Sequence, residues 1–148
     1  MIGTQAQRHP EIVRRILQEG HAIGSHSFSH QGFGRLPWAE QKQEIIKGVE
    51  ITKMFDPQGK LLFRPPQGRL NLQQILFCRS QGITILMWTV DSLDYNRKME
   101  KNAILERLKN IRFNGGEVVL FHDDNQVMLD ILPEFIRWAK SKNLEFAV

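Results

Sequence analysis

In the stretch Glu19-Gly20-His21-Ala22-Ile23-Gly24-Ser25-His26-Ser27-Phe28-Ser29-His30, a glycine stops one helix, a short apolar strand follows, and two histidines come after the strand. Upstream, His9-Pro10-Glu11 opens that helix with proline in its first turn, where no N–H is needed. Ile12, Val13, Ile16 and Leu17 share one face of it, and Gly20 ends it. Ala22-Ile23-Gly24 reads as a buried strand, and a loop carrying His26 and His30 follows.

Downstream the same alternation repeats. Pro37-Trp38 starts a helix whose buried stripe is Ile45, Ile46 and Val49, and Leu61-Leu62-Phe63 is the next strand. A helix over about 71–80 ends at Gly82, and Ile83 to Val90 is one long strand of β-branched and aromatic residues. Ile104, Leu105, Leu108 and Ile111 mark a helix closed by Gly115-Gly116. Glu117 to Phe121 is a strand, about Met128 to Lys140 a helix that Pro133 can kink, and Leu144 to Val148 a last strand. Strands alternating with helices predict an α/β fold with parallel strands, in a single domain over 1–148. His26, Arg64, Asp91, Asp94 and His122 fall just after strands, where parallel α/β barrels build their active sites.

Composition narrows the function classes. No stretch approaches the roughly 20 apolar residues that span a bilayer. Met1-Ile2-Gly3-Thr4-Gln5 lack the basic start and apolar run of a signal peptide, which bears on secretion only if Met1 is the true start. The net charge of +4 is spread among acidic residues rather than gathered in a stripe, which argues against nucleic-acid binding. The single cysteine, Cys78, permits no internal disulfide and sits among Ile75, Leu76 and Phe77 as a buried thiol. Trp38, Trp88 and Trp138 fall in helix or strand patterns and read as core rather than as an exposed sugar-binding groove.

Four segments carry chemistry. His26 and His30, four residues apart, would face the same way on a helical turn as metal ligands, or be two ordinary surface histidines. Arg64-Pro65-Pro66-Gln67-Gly68 is a rigid turn that can aim a backbone N–H at an oxyanion while its arginine orients a carboxylate. A plain surface turn with a salt-bridged arginine is the alternative. Asp91-Ser92-Leu93-Asp94-Tyr95 follows a strand with acids that either orient a histidine or cap the next helix. Leu120-Phe121-His122-Asp123 ends a strand with a histidine that is either a general acid or structural.

Taken in order, these segments resemble motifs two to five of the polysaccharide deacetylase (NodB homology) domain, whose members remove N-acetyl groups from chitin-type or peptidoglycan sugars. His-Ser-Phe-Ser-His is similar to its H-[ST]-x-x-H and Arg-Pro-Pro-Gln-Gly to its R-x-P-[aromatic]-G. Asp-Ser-Leu-Asp-Tyr is similar to its D-[ST]-x-D-W, and Leu-Phe-His-Asp to its L-x-H-D. The likeness runs from about Ile2 to Val148 and implies the family's deformed (β/α) barrel. It implies that His26 and His30 are two of three ligands to a divalent metal, zinc first among the candidates. It implies further that the Gln67 N–H forms the oxyanion hole and that His122 is the acid, oriented by Asp94. Arg64 would hold the catalytic base, Leu120 would line the acetyl pocket, and Tyr95 would be an apolar wall in place of tryptophan. The implied partner is a carbohydrate substrate, and the family is often secreted or on the cell surface.

The family's first motif, T-F-D-D-G, supplies the base and the third metal ligand from the first strand, and no residue here fills it. The expectation is a barrel lacking that strand, with a weakly held metal and little activity in this chain alone. A second copy, a partner or a further segment would cover the open edge. The rival expectations are a catalytically inactive relative that only binds carbohydrate or a partner, and a relative that cleaves a small cyclic amide.

Overall fold

A computed structural model describes residues 1–147. Its packing divides the chain into two units, Met1–Met87 and Trp88–Ala147, each with its own core.

The first unit opens with helices α1 (Gly3–Arg8) and α2 (Pro10–Gln18). Proline stands at the start of α2 as expected, and Gly20 follows its end with φ +83°. The sequence showed no signal for α1, which has no side-chain cap. Its first N–H groups, on Gly3 and Thr4, are satisfied instead by the carbonyls of Ser27 and Phe28, at 3.1 and 2.9 Å. Helix α3 (Trp38–Phe55), strand β1 (Leu62–Phe63), helix α4 (Leu72–Ser80) and strand β2 (Thr84–Ile85) complete the unit. β1 and β2 are parallel, Leu62 opposite Thr84, and Ser25 adds a parallel bridge to Phe63.

The core of this unit gathers Phe33, Ile45, Val49, Phe63, Cys78 and Ile83, and a second cluster joins Ala6, Val13, Ile23 and Ile51. Helix α3 feeds both, with Ile45 and Val49 on one side and Ile51 on the other. Ile45 and Phe63 are wholly buried, each side chain contributing roughly 1.5–3 kcal/mol. Cys78 is equally buried, and burial pushes its thiol up to about 11, so it packs as an inert apolar group.

Helix α4 begins with a reciprocal cap. Asn71 accepts from the Gln74 N–H at 2.9 Å, and the Gln74 side chain accepts from the Asn71 N–H at 2.8 Å. Replacing Asn71 with alanine should therefore cost about 1 kcal/mol. Differential scanning calorimetry would show this as a melting temperature lowered by roughly 2–4 °C.

The second unit contains β3 (Val90–Asp91), α5 (Lys101–Lys109), β4 (Val119–Leu120) and α6 (Gln126–Ser141). β3 and β4 are parallel, with Asp91 opposite Leu120. Val90, Ile104, Leu105, Leu108, Ile131 and Phe135 form the core, where α5 packs on α6. Helix α6 runs through Pro133 without ending there.

The parallel strands and alternating helices match the α/β expectation, but the strands are shorter than expected. The run Ile83 to Val90 is two strands, because its hydrogen-bonding partner changes along its length. Leu86 N–H bonds to the Phe63 carbonyl, whereas Thr89 and Val90 N–H both bond to that of Val118. Ala22-Ile23-Gly24 makes no ladder, and Ser25 carries the bridge instead. The segment 144–147 is outside any strand, and Val148 lies outside the described residues. No helix among the described residues is long and apolar enough to cross a membrane.

Candidate active site

The motif residues form two clusters, one in each unit. In the first, His26 and His30 do come together, with ring centroids 4.8 Å apart. They do so without the helical turn expected from their spacing. The segment is a loop in which Ser27 and His30 take left-handed backbone, φ +67° and +59°. Such conformations cost on the order of 1–3 kcal/mol each and persist only where surrounding contacts hold them. Ser27, wholly buried, accepts a hydrogen bond from the His30 N–H at 3.0 Å.

His26 Nδ1 lies 2.7 Å from the Arg64 carbonyl oxygen. A carbonyl can only accept, so Nδ1 carries the proton and Nε2 presents its lone pair. Burial holds the imidazole below its ordinary 6.5; the bond to the Arg64 carbonyl opposes this, and the charges of His30 and Arg64 add to it. A neutral ring with one nitrogen anchored to a carbonyl is the form in which histidine binds metals. The pair therefore fits a divalent cation as two of its ligands. Among the described residues no His, Cys, Asp or Glu completes a group of three.

Arg64 links this loop to the turn that follows β1. Its N–H donates to the Ser25 carbonyl at 2.8 Å, and its Nε donates to the Leu86 carbonyl at 3.2 Å. Pro66–Gly68 forms a tight turn with Gln67 at φ +58° and its side chain exposed.

In the second cluster Asp94 is the hub, its side chain wholly buried. Oδ1 accepts from Ser92 Oγ at 2.7 Å and from His122 Nδ1 at 2.8 Å. Oδ2 accepts from the His122 backbone N–H at 2.8 Å. A carboxylate is acceptor-only, so it fixes the Nδ1–H tautomer and leaves Nε2 of His122 for other partners. Tyr95 is half exposed, meets the His122 ring edge-on at 5.1 Å, and its hydroxyl donates to Asp91 Oδ2 at 3.3 Å. Leu120 is buried in β4, and its carbonyl accepts from the Ser92 N–H. Leu93 is left-handed at φ +64°, and its N–H donates to Asp91 Oδ1 at 2.9 Å. Thus, among the described residues, four of the five non-glycine residues with positive φ lie in these motifs, the fifth being Asn143 beyond α6.

Burial acts to raise the Asp94 carboxyl, but the bonds from His122 and Ser92 outweigh it and leave its pKa below the ordinary 3.8. A depressed carboxylate contributes stability that is present above 3.8 and lost as pH falls through the folded value. Acid titration of the melting temperature should therefore fall more steeply in the native chain than in Asp94→Asn. Parallel curves would show that Asp94 gains nothing on folding.

Ser27, Ser92 and Glu44 were not singled out from the sequence. Both serines sit inside the motifs, at the [ST] positions, so their signal was available. Glu44 lies well outside them and has no local signal.

The family model for polysaccharide deacetylases matches residues 1–86. The chain is 30% identical to a peptidoglycan-N-acetylglucosamine deacetylase of Bacillus cereus, over 99% of this chain and 54% of that protein. It is 30% identical to a chitooligosaccharide deacetylase of Azorhizobium caulinodans, over 88% of this chain and 63% of that protein. A family 4 carbohydrate esterase from Streptomyces lividans, solved with acetate, superposes with a TM-score of 0.86 at 27% identity. That match covers 99% of this chain and 75% of the esterase. The chain belongs to the polysaccharide deacetylase family, hydrolases of amide bonds other than peptide bonds. Its fold class is accordingly the deformed (β/α) barrel expected from the motifs. Its matches span 54% and 63% of the length of these two curated relatives.

Proposed function

We propose that this chain is part of an enzyme that removes N-acetyl groups from an amino-sugar polymer, peptidoglycan or a chitin-type oligomer. The observation that carries the reading is the His122–Asp94 pair, which follows a strand with one imidazole nitrogen anchored and the other available. The names of the deacetylases it resembles support the substrate class.

Asp94 anchors the Nδ1–H of His122; with a second proton taken up on Nε2, the ring gives that proton to the departing amine nitrogen as the C–N bond breaks. The backbone N–H of Gln67 donates to the oxygen on which negative charge develops. Tyr95 packs against the sugar or acetyl methyl, and Leu120 lines the acetyl pocket. His26 and His30 would hold a divalent metal, with zinc first among the candidates. When bound, such an ion polarises the acetamide carbonyl and acidifies water. Arg64 positions the carboxylate base.

No Thr-Phe-Asp-Asp-Gly stretch, which would bring that base and the third metal ligand, occurs in these 148 residues. We therefore expect the chain by itself to hydrolyse slowly and to bind metal weakly. The carboxylates would come from a further segment or from a partner chain. The alternative reading is a domain that binds glycan without turnover.

The test is to incubate the protein and Zn²⁺ with N-acetylglucosamine oligomers or peptidoglycan and to quantify acetate and new amino groups. Acetate release at unchanged chain length is expected, slow for the chain alone. Glycan binding with no acetate, even when the missing carboxylates are supplied, would overturn the deacetylase reading.

A further inference from the structure

We propose that Glu44 of α3 is a positioning residue that fixes the His26–His30 loop with its two imidazoles paired, an inference that rests on reading those histidines as metal ligands. Phe28 and Ser29 lie between the histidines, and Glu44 holds both. The Ser29 N–H donates to Glu44 Oε2 at 2.8 Å, and Ser29 Oγ donates to Oε1 at 2.9 Å. The Phe28 N–H donates to the Glu44 backbone carbonyl at 3.1 Å. Bonds to an ionised acceptor are shorter and roughly twice as strong as neutral ones.

One turn further along the same helix face is Gly48, which lets the helix approach the loop. A Cβ there would lie 2.4 Å from Ser25 Oγ and 2.9 Å from the Ser27 carbonyl carbon. Helix α3 thus reaches the loop by a missing side chain at one position and grips it by a carboxylate at the other.

The loop needs such a grip. Ser27 and His30 are both left-handed, and His30 is exposed at the loop's far end. The bonds from α1 end at the Ser27 and Phe28 carbonyls. Glu44 carries the restraint on to Ser29, next to His30. Both of its carboxylate oxygens are engaged by Ser29, which fits a brace rather than a third ligand.

The experiment uses the full chain with Zn²⁺ or Co²⁺ alone, read by calorimetry and by the Co²⁺ d–d spectrum. Glu44→Ala should weaken metal binding roughly 10–100-fold, as loss of other outer-shell partners does. Glu44→Gln keeps the length; its carbonyl can accept from the Ser29 N–H and its amide can donate to Oγ, so it should retain most of the affinity. Glu50→Ala, on an exposed position of the same helix, should leave it unchanged. Hydrogen exchange at the Ser29 amide should quicken in Glu44→Ala alone. Unchanged metal affinity with a still-protected Ser29 amide in Glu44→Ala would overturn the proposal. If the unaltered chain binds neither ion, the metal reading itself falls. Ser29 exchange then decides the brace by itself, faster exchange supporting it and unchanged exchange overturning it.

Discussion

Replacing His122 with alanine is expected to lower kcat for acetate release roughly 10²–10⁴-fold, the usual contribution of a positioned general acid. The comparison is made in a polypeptide that combines this chain with the missing carboxylates. The substitution removes the ring that Asp94 holds, and KM should change little because the proton is delivered in the transition state. The fold should tolerate the change, since about a third of the His122 side chain is exposed. Asp94→Asn should lower kcat as well, because an amide can donate to Nδ1 and favour the other tautomer. A His122→Ala enzyme with undiminished kcat would assign the proton to another group.

The second large effect belongs to Gly48. Alanine is intrinsically better than glycine in a helix by about 1 kcal/mol, so an unobstructed position would be stabilised. Here the added methyl would meet Ser25 Oγ at 2.4 Å, the Ser27 carbonyl carbon at 2.9 Å and the Phe28 nitrogen at 3.1 Å. The serine hydroxyl can rotate away, but the two backbone atoms belong to a loop tied to α1 and to Glu44. Overpacking of this kind costs typically 1–3 kcal/mol. Gly48→Ala should therefore lower the melting temperature and move the His26 and His30 ring resonances in NMR spectra. A raised melting temperature with unmoved resonances would show that the helix does not press on the loop.

The sequence was a good guide where chemistry and local signals coincide. Proline at the start of α2 and Gly20 after its end marked that helix in advance. The H-S-x-x-H and D-S-x-D segments announced the histidine pair and the Asp94–His122 dyad, because in each the serine that organises the turn is part of the motif. Strand lengths were not legible, since the apolar run from Ile83 to Val90 stays continuous while its ladder partner changes from β1 to β4. Spacing alone also misled at His26 and His30, which are brought together by two left-handed residues rather than by a helical turn. Glu44 and Gly48 were invisible for a simpler reason, because only the packing of α3 against the loop gives them a role.

The central claim is that these residues supply a deacetylase with its acid and a metal-binding histidine pair while its base comes from elsewhere. The most direct test is acetate release from an N-acetylglucosamine oligomer with Zn²⁺ present. One sample holds the 148-residue chain, and the other the same chain preceded by a strand bearing Thr-Phe-Asp-Asp-Gly. The account predicts slow or no release from the first and zinc-dependent release from the second, abolished by His122→Ala. Rapid zinc-dependent release from the chain alone, or none from the extended protein, would contradict it.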